Sequence, residues 1–297
     1  MPEYKRIAKK LTRNEKRAVK ELTKLQKRLS YKFSNGSKAS TIDLKMTPVK
    51  HQANRNTCSV FAATSIAEFL LKEHRGQEVD LSESYNYYLA KHKALSNTFL
   101  KDAYLPVDGL AGYLALDGYS FGASMESDWP YEQNNWFATN NKKCKKPNGV
   151  PSVACFTGIP PKNLESIEET FKTVYIPFDK IGAYILNEKK PVLVNIWLFR
   201  NGMNMQTGAL NIPPEGEEQL MGGHVVVLTG YDAIQQEYTF KNSWGEAWGN
   251  KGYGTMPKAY LEKHFEASKS IPFNLDASIE EKEYLAKVAL GSSLILN

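Results

Sequence analysis

The chain has 297 residues, 42% of them hydrophobic, which is enough to bury a full core in one large domain or two lobes. No run of about 18 apolar residues occurs, so no helical membrane span is expected, and three cysteines are too few for a disulfide framework. The net charge of +6 is unevenly placed: residues 5–32 carry twelve Lys and Arg against two Glu, so the remainder is slightly acidic.

In chain order, residues 3–30 place Ile7, Leu11, Ala18, Leu22, Leu25 and Leu29 at helical spacing, with no Gly or Pro before Gly36. This predicts a basic amphipathic helix, followed by a linker at 34–40. Its charged face is a solvated surface or a contact for nucleic acid or an anionic membrane. Residues 1–10 lack the apolar core of a secretory signal. An intracellular chain and one trimmed from a longer precursor both stay open.

The next stretch organises the rest. Residues 51–57 form a polar turn, and from Val60 to Leu71 apolar residues cover almost every face, so this helix is expected inside the protein. Thr57 reads as its N-cap, which puts Cys58 in the first turn, where unpaired N–H groups and the helix dipole favour a thiolate. Leu81-Ser82-Glu83 opens a helix to about Lys93 with Ser82 as cap. A further helical run follows Asp108-Gly109-Leu110 and extends to Leu116. Residues 134–161 are polar, rich in Asn and Lys and broken by prolines, and read as a surface excursion. A helix over 178–187 and a buried strand over 191–197 come next. Residues 201–221, with three Gly and two Pro, suit a loop over a cleft. Strands are expected around Val225, over 238–241 and over 253–256, and a capped helix over 278–290 ends in an apolar tail. Helices first and an antiparallel sheet second imply an α+β fold with a site between the halves.

Two later segments bear on Cys58. Gly222-Gly223-His224 places a histidine at the mouth of a strand, and Asn242-Ser243-Trp244-Gly245 places an asparagine at the end of the next. Cysteine, histidine and asparagine in this order supply a nucleophile, a base and a group to orient the base. Gln52 stands six residues ahead of Cys58. With these motifs, residues 42–265 resemble the papain family of cysteine peptidases.

The resemblance implies a two-lobed fold, a helical lobe and a β lobe, that hydrolyses peptide bonds through a Cys58 thioester without a cofactor. His224 would be acid and base, Asn242 would orient it, and Gln52 with the Cys58 backbone N–H would hold the oxyanion. Gly109, Gly222 and Gly223 would give room to the substrate backbone, and Trp244 would cover the Asn242–His224 contact. Residues 1–41 would be a short prosegment, although the family's spaced Glu, Arg, Phe and Asn pattern is absent. Residues 266–297 extend past the resemblance, and their tail either packs on the surface or reaches the cleft. Position 55 is arginine where the family carries a cysteine, so the disulfide that ties this loop in relatives cannot form, and Ser59 replaces an aromatic residue. Cys144 and Cys155 form a bridge or remain thiols.

The competing readings are a catalytically silent papain-like binding module, a papain-fold acyltransferase and an anion-binding protein built on the N-terminal helix. A zinc site from Cys58, Cys144, Cys155 and His224 lacks any supporting ligand spacing, so no metal is expected. The partner expected is a peptide or protein substrate.

Overall fold

The computed structural model describes residues 41–76, 78–97, 104–144, 153–167, 171, 173 and 176–264. The expected basic helix over 3–30, the linker and the helix with tail after 265 lie outside the described residues. The family of elements begins with a short strand β1 (Thr41–Asp43) and the central helix α1 (Cys58–Arg75). Every residue of α1 from Ser59 to Leu71 is buried, as its all-round apolar character demands. Gly76 in the left-handed region stops it, with its N–H on the Lys72 carbonyl. Thr57 precedes the helix but makes no side-chain cap; its hydroxyl instead meets the Tyr131 hydroxyl at 2.7 Å.

Helix α2 (Glu83–Leu89) is capped as expected, Ser82 accepting from the Tyr85 N–H at 3.0 Å. It runs on into a π-helical turn over Ala90–Ala94 that carries the fully buried Lys91. Helix α3 (Gly112–Gly118) follows the Asp108-Gly109 turn. The stretch expected as a surface excursion holds a short helix α4 (Ala154–Thr157) whose Cys155, Phe156 and Thr157 are buried. Cys144 and Cys155 are joined as a disulfide that closes this segment on itself, and Phe156 packs it onto the core of the helical lobe.

The second half comprises α5 (Ile181–Glu188), β2 (Val192–Phe199), β3 (Leu220–Asp232), β4 (Glu237–Lys241), β5 (Tyr253–Pro257) and α6 (Lys258–His264). The five strands form one antiparallel sheet centred on β3. Along one edge of β3, β2 pairs with its first part and β1 with Gly230–Asp232; along the other, β4 pairs from Val227 onward.

Strand alternation splits the core in two. Leu193, Val225 and Val227 join the helical core with Val60, Ile66 and Leu114, whereas Val192, Val194, Ile196, Val226 and Leu228 join a second core with Tyr238, Phe240 and Tyr260. The sheet is thus the wall between the lobes. Where its helix-facing side leaves the shared core, at Asn195 and Gly223, a cleft opens.

Candidate active site

The cleft has a volume of about 400 Å³ and is lined by residues of both lobes. From the helical side come Gln52, Cys58, Leu110 and Ala111; from the sheet come Asn195, Gly222, Gly223, His224 and Trp244. Its position follows from chain economy. β4 stops at Lys241 opposite Val227, so Asn242 turns in beside His224, three residues back along β3.

Asn242 Oδ1 lies 2.8 Å from His224 Nε2 and also accepts the Ser243 N–H at 2.8 Å. The second contact fixes which end of the amide is oxygen. It follows that His224 Nε2 carries hydrogen, and in the neutral ring Nδ1 is the basic nitrogen. The Trp244 ring stands 4.8 Å from the imidazole at 34°, covering it. Both His224 and Asn242 are buried.

Cys58, half-buried and at the start of α1, is close to the backbone N–H of Val225, the residue after His224. Burial pushes its thiol up, opposed by the N–H groups of Val225, Ser59 and Cys58 itself. Burial also pushes the His224 imidazole down to about 4, opposed by Asn242. Taken singly, each group is neutral at pH 7. The ionised form open to this site is therefore the pair, made by moving the thiol proton to His224, in which each charge offsets the desolvation of the other. The helix terminus expected to ionise the thiol is outweighed when it acts alone.

Gln52 is fixed at both ends of its amide. Its Nε2 donates to the Arg55 carbonyl at 2.6 Å, and its Oε1 accepts from Ser243 Oγ at 2.6 Å. One Nε2 hydrogen remains for a ligand in the cleft. The Gln52 backbone N–H binds the Ser243 carbonyl at 2.9 Å, and His51 bridges Trp244, so the Gln52 turn and the Asn242 segment are stitched together. The Cys58 N–H, first in its helix, has no intrahelical acceptor.

A buried ion cluster lies behind Asn242. Lys50 Nζ is 2.8 Å from Glu68 and 3.0 Å from Glu83, and Lys241 donates to Thr47, whose hydroxyl donates to Glu68. A small cavity there is lined by Lys50, Glu68, Glu83 and Lys241, by Asn242 and Ser243, and by apolar side chains of α1 and β3.

The structure brings together Cys58, His224, Asn242, Gln52, Gly222, Gly223 and Trp244. Gly109 stands apart. Its N–H is bound by the Tyr87 hydroxyl at 2.7 Å, and a Cβ at its φ of +120° would lie 3.0 Å from the Asn56 carbonyl oxygen. Its glycine serves this close approach, and the wall of the cleft is made by the next two residues, Leu110 and Ala111. The sequence places the cleft segment over Asp108-Gly109-Leu110 and the run to Leu116 but singles out only Gly109 within it, and it does not point to Asn195; the arginine at position 55 was the one signal that this turn is held differently. Cys144 and Cys155, being paired, are withdrawn from any zinc site.

A family model for the papain family cysteine proteases matches residues 38–272. The chain belongs to the papain family. Among curated relatives it is 29% identical over 220 residues to cysteine proteinase 3 of Dictyostelium discoideum, covering 72% of this chain and 56% of that protein. It is 24% identical over 216 residues to cathepsin K of Gallus gallus, covering 70% and 54%. The chain thus spans about half the length of these two papain-family proteins. Among solved structures, xylellain, a cysteine protease from Xylella fastidiosa, superposes with a TM-score of 0.67 over 84% of this chain and 92% of that one, at 17% identity. That likeness is one of fold, and it matches the two-lobed α+β architecture.

Proposed function

We propose that the protein is a thiol peptidase that cleaves peptide or protein substrates through a covalent thioester. The observation that carries this is the His224–Asn242 contact in a cleft shared with Cys58 and the half-satisfied Gln52 amide.

In this reading the Cys58 thiol gives its proton to His224 as sulfur bonds to the substrate carbonyl carbon. The electron pair displaced onto oxygen is held by the free Gln52 N–H and the Cys58 backbone N–H. His224 then returns its proton to the leaving amine as the C–N bond breaks. Water, deprotonated by His224, attacks the thioester, and the released thiolate recovers the proton. Asn242 keeps hydrogen on Nε2, which reserves Nδ1 for these transfers, and Trp244 keeps water from the Asn242 contact. Gly222 and Gly223 leave space beside His224: a Cβ at Gly222 would meet nothing within 4 Å. Residues 42–265 carry this chemistry, and residues 1–41 are proposed as a covering segment.

The test is irreversible labelling by an epoxide inhibitor of papain-type enzymes, read by intact mass and peptide mapping, together with hydrolysis of fluorogenic peptides. Labelling at Cys58 is expected, lost in Cys58→Ala and His224→Ala. Gln52→Ala should keep labelling but lower kcat about 100-fold to 1000-fold. An unlabelled, inactive wild type, both as the full chain and starting at Ile42, would refute the proposal.

A further inference from the structure

We infer that Arg55 is a positioning residue that sets the Leu110–Ala111 wall of the cleft against the Cys58 turn; this rests on the peptidase reading above. Arg55 stands three residues ahead of Cys58 and is 6% exposed. Its guanidinium reaches three other stretches of chain. Nε and Nη2 grip the two oxygens of Asp108 at 3.4 and 3.2 Å, Nη1 donates to the Glu132 carbonyl at 2.9 Å, and Nη2 donates to the Phe156 carbonyl at 2.5 Å. The rings of Tyr87 and Tyr131 lie 5.5 and 5.2 Å from its central carbon. A planar, permanently charged fork meets such a set of fixed acceptors at little entropic cost.

Each end of this brace reaches the chemistry. On one side, the Arg55 carbonyl accepts the Gln52 amide, and the Tyr131 hydroxyl joins the Gln52 carbonyl to Thr57, the residue before the nucleophile. On the other, Asp108 also accepts from the Tyr87 hydroxyl at 3.1 Å, and that hydroxyl accepts the Gly109 N–H. Lys91 holds the Val107 carbonyl at 2.5 Å. Residues 107, 108 and 109 are therefore pinned one after another, and Leu110 and Ala111 enter the cleft from that anchored point. The 107–111 strip holds no cysteine, so no disulfide can tie it to the 52–58 turn; the Arg55–Asp108 pair ties them instead.

A substrate that touches only the Cys58 turn does not need this registry, whereas one that extends along Leu110 and Ala111 does. The experiment compares an N-acylated single-residue fluorogenic amide with a tripeptide amide on wild type, Arg55→Ala, Arg55→Lys and Asp108→Asn, with urea unfolding run in parallel. In Arg55→Ala the tripeptide should lose about 100-fold in kcat/KM, mostly through KM, the size of effect expected from a misplacement of about 1 Å. The single-residue amide should change less than about threefold. Arg55→Lys, which keeps the charge without the fork, should fall between. Asp108→Asn, which keeps the volume and can still accept, carries the test if Arg55→Ala does not fold, and should show the same bias toward loss on the tripeptide. Equal loss on both substrates, or no loss on either, in a folded variant overturns the assignment. A wild type that is neither labelled at Cys58 nor active on either substrate overturns the peptidase reading, and this inference with it.

Discussion

Lys91→Met would remove an ammonium that has no exposed surface and sits in the π-helical turn over Ala90–Ala94. The lysine donates to the Tyr104 and Val107 carbonyls and faces the rings of Tyr87 and Phe156. Burial pushes it down to about 7, against the pull of Asp108. An unfolded lysine titrates near 10.4, so from about pH 7 to about pH 10 the unfolded chain binds more protons at this position than the folded one. Stability therefore rises with pH across that window, and below it the penalty is constant. The gap of about 3.5 pKa units is worth about 5 kcal/mol in full, of which about 2 kcal/mol is recovered between pH 7 and pH 9. Methionine has no such proton. Urea unfolding of both proteins at pH 7 and pH 9 should show the wild type gaining about 2 kcal/mol relative to the variant on going to the higher pH. A difference between the two that stays constant would refute the reasoning, because it would mean that the two carbonyls and two rings solvate the ammonium as well as water does.

The other expectations concern the frame and the site. Lys50→Met removes the ammonium paired with the buried Glu68 and Glu83, with Lys241 left beside them, and should cost about 3 to 5 kcal/mol at pH 7 by chemical denaturation. Ser82→Ala removes both the cap of α2 and a 2.6 Å bond to the Trp129 carbonyl, for a loss of about 1 to 2 kcal/mol, read as a lower melting temperature. Gly249→Ala, at φ +58° with a Cβ 2.4 Å from the Tyr253 carbonyl oxygen, should destabilise by more than about 2 kcal/mol in the same assay. Asn242→Ala frees the imidazole to carry hydrogen on either nitrogen, so epoxide labelling of Cys58 should slow by about tenfold or more while the fold survives.

The parts of the fold that were legible in the sequence are those set by local pattern. The all-round apolar run of α1, the Ser82 cap, the apolar run of β3 and the Asn242-Ser243-Trp244 turn each carry their signal within a few residues. The side chains that meet in the cleft, Cys58, His224 and Asn242, were legible for the same reason, since the three motifs are short and ordered. What was missed depends on approach between distant stretches. The Thr57 hydroxyl reads as a cap until Tyr131, 74 residues on, takes it. Gly109 reads as substrate contact until Tyr87 takes its N–H. The Cys144–Cys155 bond spans 11 residues whose polar composition suggested a surface loop, yet the buried Phe156 beside it supplies a carbonyl to Arg55.

That disulfide has a practical consequence. The sequence holds three cysteines, and with two of them joined, Cys58 is the sole thiol in the chain. A general thiol reagent applied to native protein should thus be consumed at one equivalent, and any shortfall counts molecules whose Cys58 is already oxidised or blocked. The fraction of competent molecules in a preparation can be measured in this way before any substrate has been found.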